Sequence, residues 1–292
     1  MSPTTGSERR KRTLRVNAEV QSGAFTLIEL VTVCAVLALG ALTLLPALGR
    51  SRPDSNPLRC LNNLRQLGNA WVMYAEDNQG KLVYNPDGAG VGRTFDQPSW
   101  AGGWLDFTTS PDNTNTALLV DHNRYPFSAF LGPYVRTPAP FKCPADRSTT
   151  VIGGQRFARA RSLSMNGWVG QKARGWFTSG GFQIYGKTSD ITKLTPAGLF
   201  VFTEERPDSI NDGVFFTQPS YSGPNYTIID YPAAYHLDAC TFSFADGHSE
   251  IHRWRDPRTM PVLRPGQLLT FNVSTPGNPD VFWLITHSTS RP

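Results

Sequence analysis

The sequence predicts an α+β domain carried behind one membrane-spanning helix. Three observations predict it. Leu30 to Gly49 is a stretch of twenty residues without charge, rich in Leu, Val and Ala. Leu58, Leu61, Leu64, Leu67, Trp71 and Tyr74 then recur at three- and four-residue steps, the mark of one amphipathic helix. Short aromatic or β-branched runs bounded by turn residues crowd the last third of the chain. With 292 residues there is room for one membrane segment and one domain with a sizeable core. The 26 glycines and 23 prolines favour short strands and many turns over a helical bundle.

Charge is placed unevenly. The formal net charge is +5. Arg9, Arg10, Lys11, Arg12 and Arg15 against Glu8 and Glu19 put +3 of it in residues 1–24, leaving +2 for the remainder. That remainder is too weakly basic to predict a nucleic-acid surface. The basic run sits just before the apolar stretch, where it reads as a flank retained in the cytoplasm. An apolar helix of about 20 residues spans a bilayer core, and the absence of polar periodicity argues against a buried globular helix.

Three export readings compete for this segment. A secretory signal would use Ala47-Leu48-Gly49 as its small-residue cleavage site. A lipoprotein would use Cys34 as its lipidated residue. The third begins at Ala24-Phe25-Thr26-Leu27-Ile28-Glu29-Leu30, which resembles the prepilin-type cleavage and methylation motif of type IV pilins and type II secretion pseudopilins. The resemblance implies that a prepilin peptidase cuts between Ala24 and Phe25 on the cytoplasmic side. It also implies that a methylase modifies the new N-terminal Phe25. Residues 1–24 are then a leader, residues 25–49 a retained transmembrane and assembly helix, and Pro46 its kink. Glu29 becomes the fifth mature residue. An intramembrane carboxylate is rarely kept without a partner, and the family implies the amine of a neighbouring subunit as that partner. The other reading is that Glu29 snorkels to the interface.

A break at residues 50–57, with Pro53 and Pro57, separates this helix from the domain at 58–292. The second helix is predicted from Leu58 to Asn78, with Asn56 as cap, Pro57 in its first turn and Gly80 as its stop. Residues 81–150 are loop-rich, with a short extended stretch at Lys81–Tyr84 and a small helix near Asn115–Asp121. Tyr84, Trp100, Trp104, Phe107, Tyr125, Phe127, Phe130 and Tyr134 are either a carbohydrate-stacking surface or, as we prefer, core filling. Strands are predicted at Gly198–Thr203, Val214–Thr217, Thr241–Ala245, His248–Trp254 and Val281–Thr286. Asp246-Gly247 signals a tight hairpin. That pairing places Phe242, Phe244 and Ile251 on a buried face, with Thr241, Ser243, His248, Glu250, His252 and Trp254 on the other.

Four blocks in the domain extend the resemblance over nearly the whole chain. Cys60-Leu61-Asn62-Asn63-Leu64-Arg65-Gln66, Cys143-Pro144-Ala145-Asp146 and Ser162-Leu163-Ser164-Met165-Asn166-Gly167 are similar to recurring blocks of large prepilin-type proteins of planctomycetes and verrucomicrobia. His236, nine residues, then Asp246-Gly247 resembles their processing-associated H-X9-DG element. Two readings of His236 and Asp246 are open. One is metal binding with Glu204, Glu205, Asp208 or Asp212, calcium being the plausible ion because some pseudopilins bind it. The other has Asp246 and Gly247 shaping the turn, with His236 bonded to it or packed beside it. His248, Glu250 and His252 alternate on one strand face, a spacing that serves a transition metal or a solvated face. There is no CxxC and no zinc-type spacing. Cys60 and Cys143 are either a disulfide, closing about 80 residues for about 4 kcal/mol, or two buried thiols.

No GxSxG, HExxH, phosphate-loop or dinucleotide motif is present, so an enzyme is not expected. The resemblance implies a pilin-like fold, an amphipathic helix on an antiparallel sheet with long loops. It implies a structural subunit of a type IV pilus-like or type II secretion-like filament, whose partners are the peptidase, other pilin or pseudopilin subunits and the bacterial inner membrane. Its domain would be periplasmic or in an extracellular filament, and its size favours a minor subunit. The alternatives are an anchored module that binds a glycan, a metal or an exported protein, and a tethered hydrolase.

Overall fold

A computed structural model describes residues 27–37, 57–173, 181–218, 225–264 and 266–291. The chain divides into two compact units, Met1–Ser51 and Arg52–Pro292. In the first, residues 27–37 form helix α1, and its apolar side chains are exposed, from Leu27 at 79% to Val33 at 50%. Among the described residues no helix is long and apolar enough to cross a membrane. The predicted membrane helix extends over residues 38–49, which lie outside the described residues, as do Ala24, Phe25, Pro46 and the cap Asn56.

The second unit is mixed α and β. Its helices are α2 (Pro57–Asp77), α3 (Ala117–Val120), α4 (Gly132–Val135) and α5 (Pro279–Thr286). Its strands are β1 (Thr149–Ile152), β2 (Gln155–Ala158), β3 (Leu163–Asn166), β4 (Phe200–Glu204), β5 (Val214–Phe215), β6 (Thr227–Ile228), β7 (Ala239–Phe244), β8 (Ser249–Arg253) and β9 (Val273–Ser274). The main sheet runs β5-β3-β4-β7-β8, antiparallel throughout except for the parallel β3–β5 pair. β1–β2 and β6–β9 form two small antiparallel ladders. Lys81–Tyr84 forms only isolated bridges, Lys81 with Lys187 and Tyr84 with Gln171.

Helix α2 forms as its stripe predicts, with Pro57 in its first turn. Gly80 ends it at φ 77°, its N–H donating to the Ala75 carbonyl at 2.8 Å. The buried stripe is Cys60, Leu64, Leu67, Trp71 and Tyr74. Leu58 is 68% exposed, so the packed face begins at Cys60 and not at Leu58. This face meets Leu163, Met165, Val201 and Phe202 of the sheet, with Trp100 and Phe141. Trp100 stacks on Phe141 at 5.9 Å and leans on Phe202 at 5.0 Å. Of the eight aromatics in the loop-rich region, Trp100 is wholly buried and the others are partly covered rather than displayed.

Two sequence expectations are corrected. Val281–Thr286 is helix, not strand. Asn278 caps α5 by accepting the N–H groups of Asp280 and Val281, and Pro279 opens it. The helix packs Leu284 beside Phe200, Phe242 and Phe244, on the sheet face opposite α2. The second correction is the register of the β7–β8 hairpin. The Phe244 N–H donates to the His248 carbonyl and the Gly247 N–H to the Phe244 carbonyl, each at 2.9 Å. The loop therefore holds three residues, with Gly247 at φ 89°. The added residue shifts every pairing by one: Thr241 faces Ile251, and Phe242 faces Glu250. Ile251 leaves the predicted buried face and is 42% exposed, while Phe242 shares its side with His252 and Trp254.

Candidate metal centre

The site begins at the first turn of α2. Cys60 lies on the helix's sheet-facing stripe and is 2% exposed. Asn63, on the following turn, donates its amide to the Lys142 carbonyl at 3.1 Å and so fixes the segment carrying Cys143. Cys143 opens a turn in which the Asp146 N–H donates to the Cys143 carbonyl at 3.0 Å, with Pro144 at the second position. The Cys143 N–H donates to Ser162 Oγ at 2.8 Å.

Glu204 reaches the same place because β4 is irregular. Phe200 pairs with Phe244, yet Phe202 pairs with Ser243, so two residues of β4 answer one of β7. The bulge sends Phe200 to the α5 side and leaves Phe202 and Glu204 facing α2. His236 enters from the segment before β7. Leu237 and Asp238 follow it in left-handed conformations, φ 57° and 61°, and the His236 N–H donates to the Ala239 carbonyl at 3.3 Å. Two consecutive non-glycine residues in that region are strained, and they turn the imidazole back over the sheet.

Cys60 Sγ, Cys143 Sγ, a Glu204 oxygen and a His236 ring nitrogen all lie within 4.8 Å of one another, and all four residues are buried. Among the described residues this is the one such group of three or more His, Cys, Asp or Glu side chains. His236 Nε2 lies 3.5 Å from Cys143 Sγ and 3.1 Å from Glu204 Oε1. The second Glu204 oxygen accepts the Thr241 N–H at 2.9 Å, and the Ala145 N–H donates to Cys143 Sγ at 3.4 Å. His236 Nδ1 has no protein hydrogen-bond partner.

The environment separates the groups' proton affinities. Burial pulls the His236 imidazole down, but its contacts with Cys143 and Glu204 outweigh this and raise it to about 10. Burial pushes the Glu204 carboxyl up, yet the facing imidazole, Cys143 and the Thr241 N–H bring it below its ordinary value. Burial raises the Cys143 thiol. Contact with Cys143 lowers the Cys60 thiol, while burial and Glu204 carry it above its usual value. The imidazole and the carboxylate thus shift each other in opposite directions, the first up and the second down, and both thiols are raised.

No family model, curated protein or solved structure matches this chain. The chemistry of the centre therefore comes from its own donors. Two sulfurs, one nitrogen and one carboxylate make a soft, four-donor set. Four protein donors in a buried site are the number that fills a tetrahedral coordination shell.

Cys60 and Cys143 are adjacent and carry no S–S bond in this structure. The turn reading expected His236 to bond to the Asp246-Gly247 turn or pack beside it, whereas its Nε2 meets Cys143 and Glu204. The two ends of the H-X9-DG element lie at opposite ends of β7, and the spacing counts out that strand. Asp246 accepts the His248 N–H at 3.1 Å and shapes the turn. The other residues considered for metal do not gather. Asp208 is clasped by Arg206 at 2.5 and 2.9 Å. Asp212 accepts the N–H groups of Gly88 and Val214 at 2.7 and 2.8 Å. His248 stacks on Phe244 at 4.3 Å and His252 on Trp283 at 3.8 Å, with Glu250 between them half-buried. The oxygen-rich set that calcium requires is not what the centre presents.

A second feature escaped the sequence reading. Glu205, Asp212, Asp230, Arg159 and Arg161 are all buried. Glu205 accepts the hydroxyls of Ser164 and Ser209 at 2.7 and 2.6 Å. Arg161 donates to the carbonyls of Leu163 and Asn211, each at 3.2 Å. Burial raises Asp212 to about 6, although two backbone N–H groups and Arg161 oppose it.

Proposed function

We propose that this chain is a membrane-anchored, pilin-like structural subunit of a filament of the type IV pilus or type II secretion kind. The observation that carries the reading is α1. Its apolar side chains are exposed from Leu27 to Leu37. A helix with so much exposed apolar surface around Glu29 is one that a bilayer or neighbouring helices would cover. The motif from Ala24 to Leu30 supplies the processing step, and α2 lying on a sheet that is antiparallel except for its β3–β5 pair resembles the arrangement a pilin-like domain would have.

The mechanism is assembly. The leader keeps its basic residues in the cytoplasm while the apolar helix waits in the inner membrane. Cleavage before Phe25 frees an ammonium group. In the filament that ammonium meets Glu29 of a neighbouring copy, which fixes the stagger between helices and neutralises a carboxylate in an apolar surround. The folded unit from Arg52 onward then coats the helical core.

The test is Glu29→Leu in the native host. The variant should still be trimmed and held in the membrane, yet fall tenfold or more in the fraction sheared from the cell surface or crosslinked to like subunits. A wild-type chain absent from any such fraction while the filament is present would contradict the reading.

A further inference from the structure

We propose that Cys60, Cys143, Glu204 and His236 bind one zinc ion, and that this ion clamps the first turn of α2 to the sheet. The inference is independent of the filament reading, because it concerns only the folded unit.

The spacing suits a tetrahedron. With Zn–S near 2.3 Å and Zn–N and Zn–O near 2.0–2.1 Å, tetrahedral angles put sulfur and nitrogen about 3.5 Å apart, and nitrogen and oxygen about 3.3 Å apart. The observed separations are 3.5 Å for Cys143 Sγ to His236 Nε2 and 3.1 Å for His236 Nε2 to Glu204 Oε1. Nε2 is the ring nitrogen that faces the other donors. Thiolate and imidazole donors select zinc over calcium or magnesium. The surrounding donors fit as well. The Ala145 N–H points at Cys143 Sγ and the Thr241 N–H holds the second Glu204 oxygen, so each has an orienting contact from outside the four.

The balance of the step is simple. Zn²⁺ displaces the two thiol protons and any proton on His236 Nε2, which pass to solvent, and forms two Zn–S bonds, one Zn–N bond and one Zn–O bond. No electron moves and no co-reactant is needed. A disulfide, by contrast, would engage two of the four residues and give no reason for His236 and Glu204 to converge on the sulfurs.

The centre also gives the four blocks one purpose. Cys60 and Asn63 come from the first, Cys143 from the second and Ser162 from the third, while His236 opens the H-X9-DG element. On this view β7 and its turn are the frame that holds the histidine in place.

The test uses the full chain purified in detergent from zinc-replete cells. Elemental analysis should find about one zinc per chain, and Cys143→Ser or His236→Ala should lower it tenfold or more, with Cys34→Ser unchanged. A readout on the wild-type protein guards against variants that fail to fold. Cobalt(II) added after chelation should give thiolate-to-cobalt charge-transfer absorption and the intense visible bands of a tetrahedral ion. Wild-type protein with neither zinc nor those bands would overturn the proposal. It would do so whether intact mass then shows Cys60 and Cys143 joined, two hydrogens lighter, or both free.

Discussion

At the scale of single residues, the clearest consequences come from buried groups whose proton affinity the fold has moved. Asp212 is raised from its ordinary value of 3.8 to about 6, first by burial. The folded chain therefore holds a proton that the unfolded chain has released between those two values. Folding stability from this residue is full at pH below 3.8 and falls as pH rises towards 6. Asp212→Asn cannot lose that proton. Relative to wild type, the variant should gain about 3 kcal/mol between pH 3.5 and pH 7 in denaturant titrations. A gap that stays constant with pH would show that Asp212 is not displaced. Gly247 tests backbone conformation alone. It sits at φ 89°, and an added Cβ meets nothing closer than Asn69 Oδ1 at 3.8 Å. Gly247→Ala should lose about 1–2 kcal/mol through strain without a clash, and Gly247→Asn less, both read from thermal or urea unfolding.

At the scale of elements, the hairpin decides which side chains matter. Phe242 is fully buried and touches Phe200, Trp254 and Trp283. Phe242→Ala should cost about 3–5 kcal/mol, whereas Ile251→Thr, at a position 42% exposed, should cost less than about 1. The reverse ranking in equilibrium unfolding would restore the register that the bare Asp246-Gly247 signal suggests. That difference shows where the sequence is legible. Helix α2 reads directly, because its stripe, its opening Pro57 and its stop at Gly80 all agree. The β7–β8 hairpin reads as a hairpin, but turn residues do not count loop length, and one extra residue exchanges the faces. Val281–Thr286 looks like a strand by composition. The capping signal Asn278-Pro279-Asp280 was present and outweighs it, since the aromatic and branched residues there are chosen for packing on the sheet. In the metal centre, His236, Cys60, Cys143 and Glu204 each draw notice alone. Their meeting is not legible, because Cys143 and Glu204 stand 93 and 32 positions from His236, and the β4 bulge that aims Glu204 has no sequence signal. If zinc joins α2 to the sheet, chelation should lower Tm by about 5–10 °C, and restoring zinc should recover it. An unchanged Tm after complete zinc removal would mean that the ion does not support the fold.

At the scale of the whole molecule, two compact units differ in what they ask of their surroundings. The unit from Arg52 satisfies its own core, with α2 and α5 on opposite faces of one sheet. Helix α1 carries exposed apolar side chains from Leu27 to Leu37. A retained anchor and a discarded signal both account for an apolar stretch behind basic residues, and they differ in which bond is cut. The mass and terminal sequence of the chain recovered from its own membranes distinguish them most directly. The filament-subunit account predicts a mature chain beginning at N-methylated Phe25. A chain beginning at Arg50, with the apolar helix removed, would contradict it.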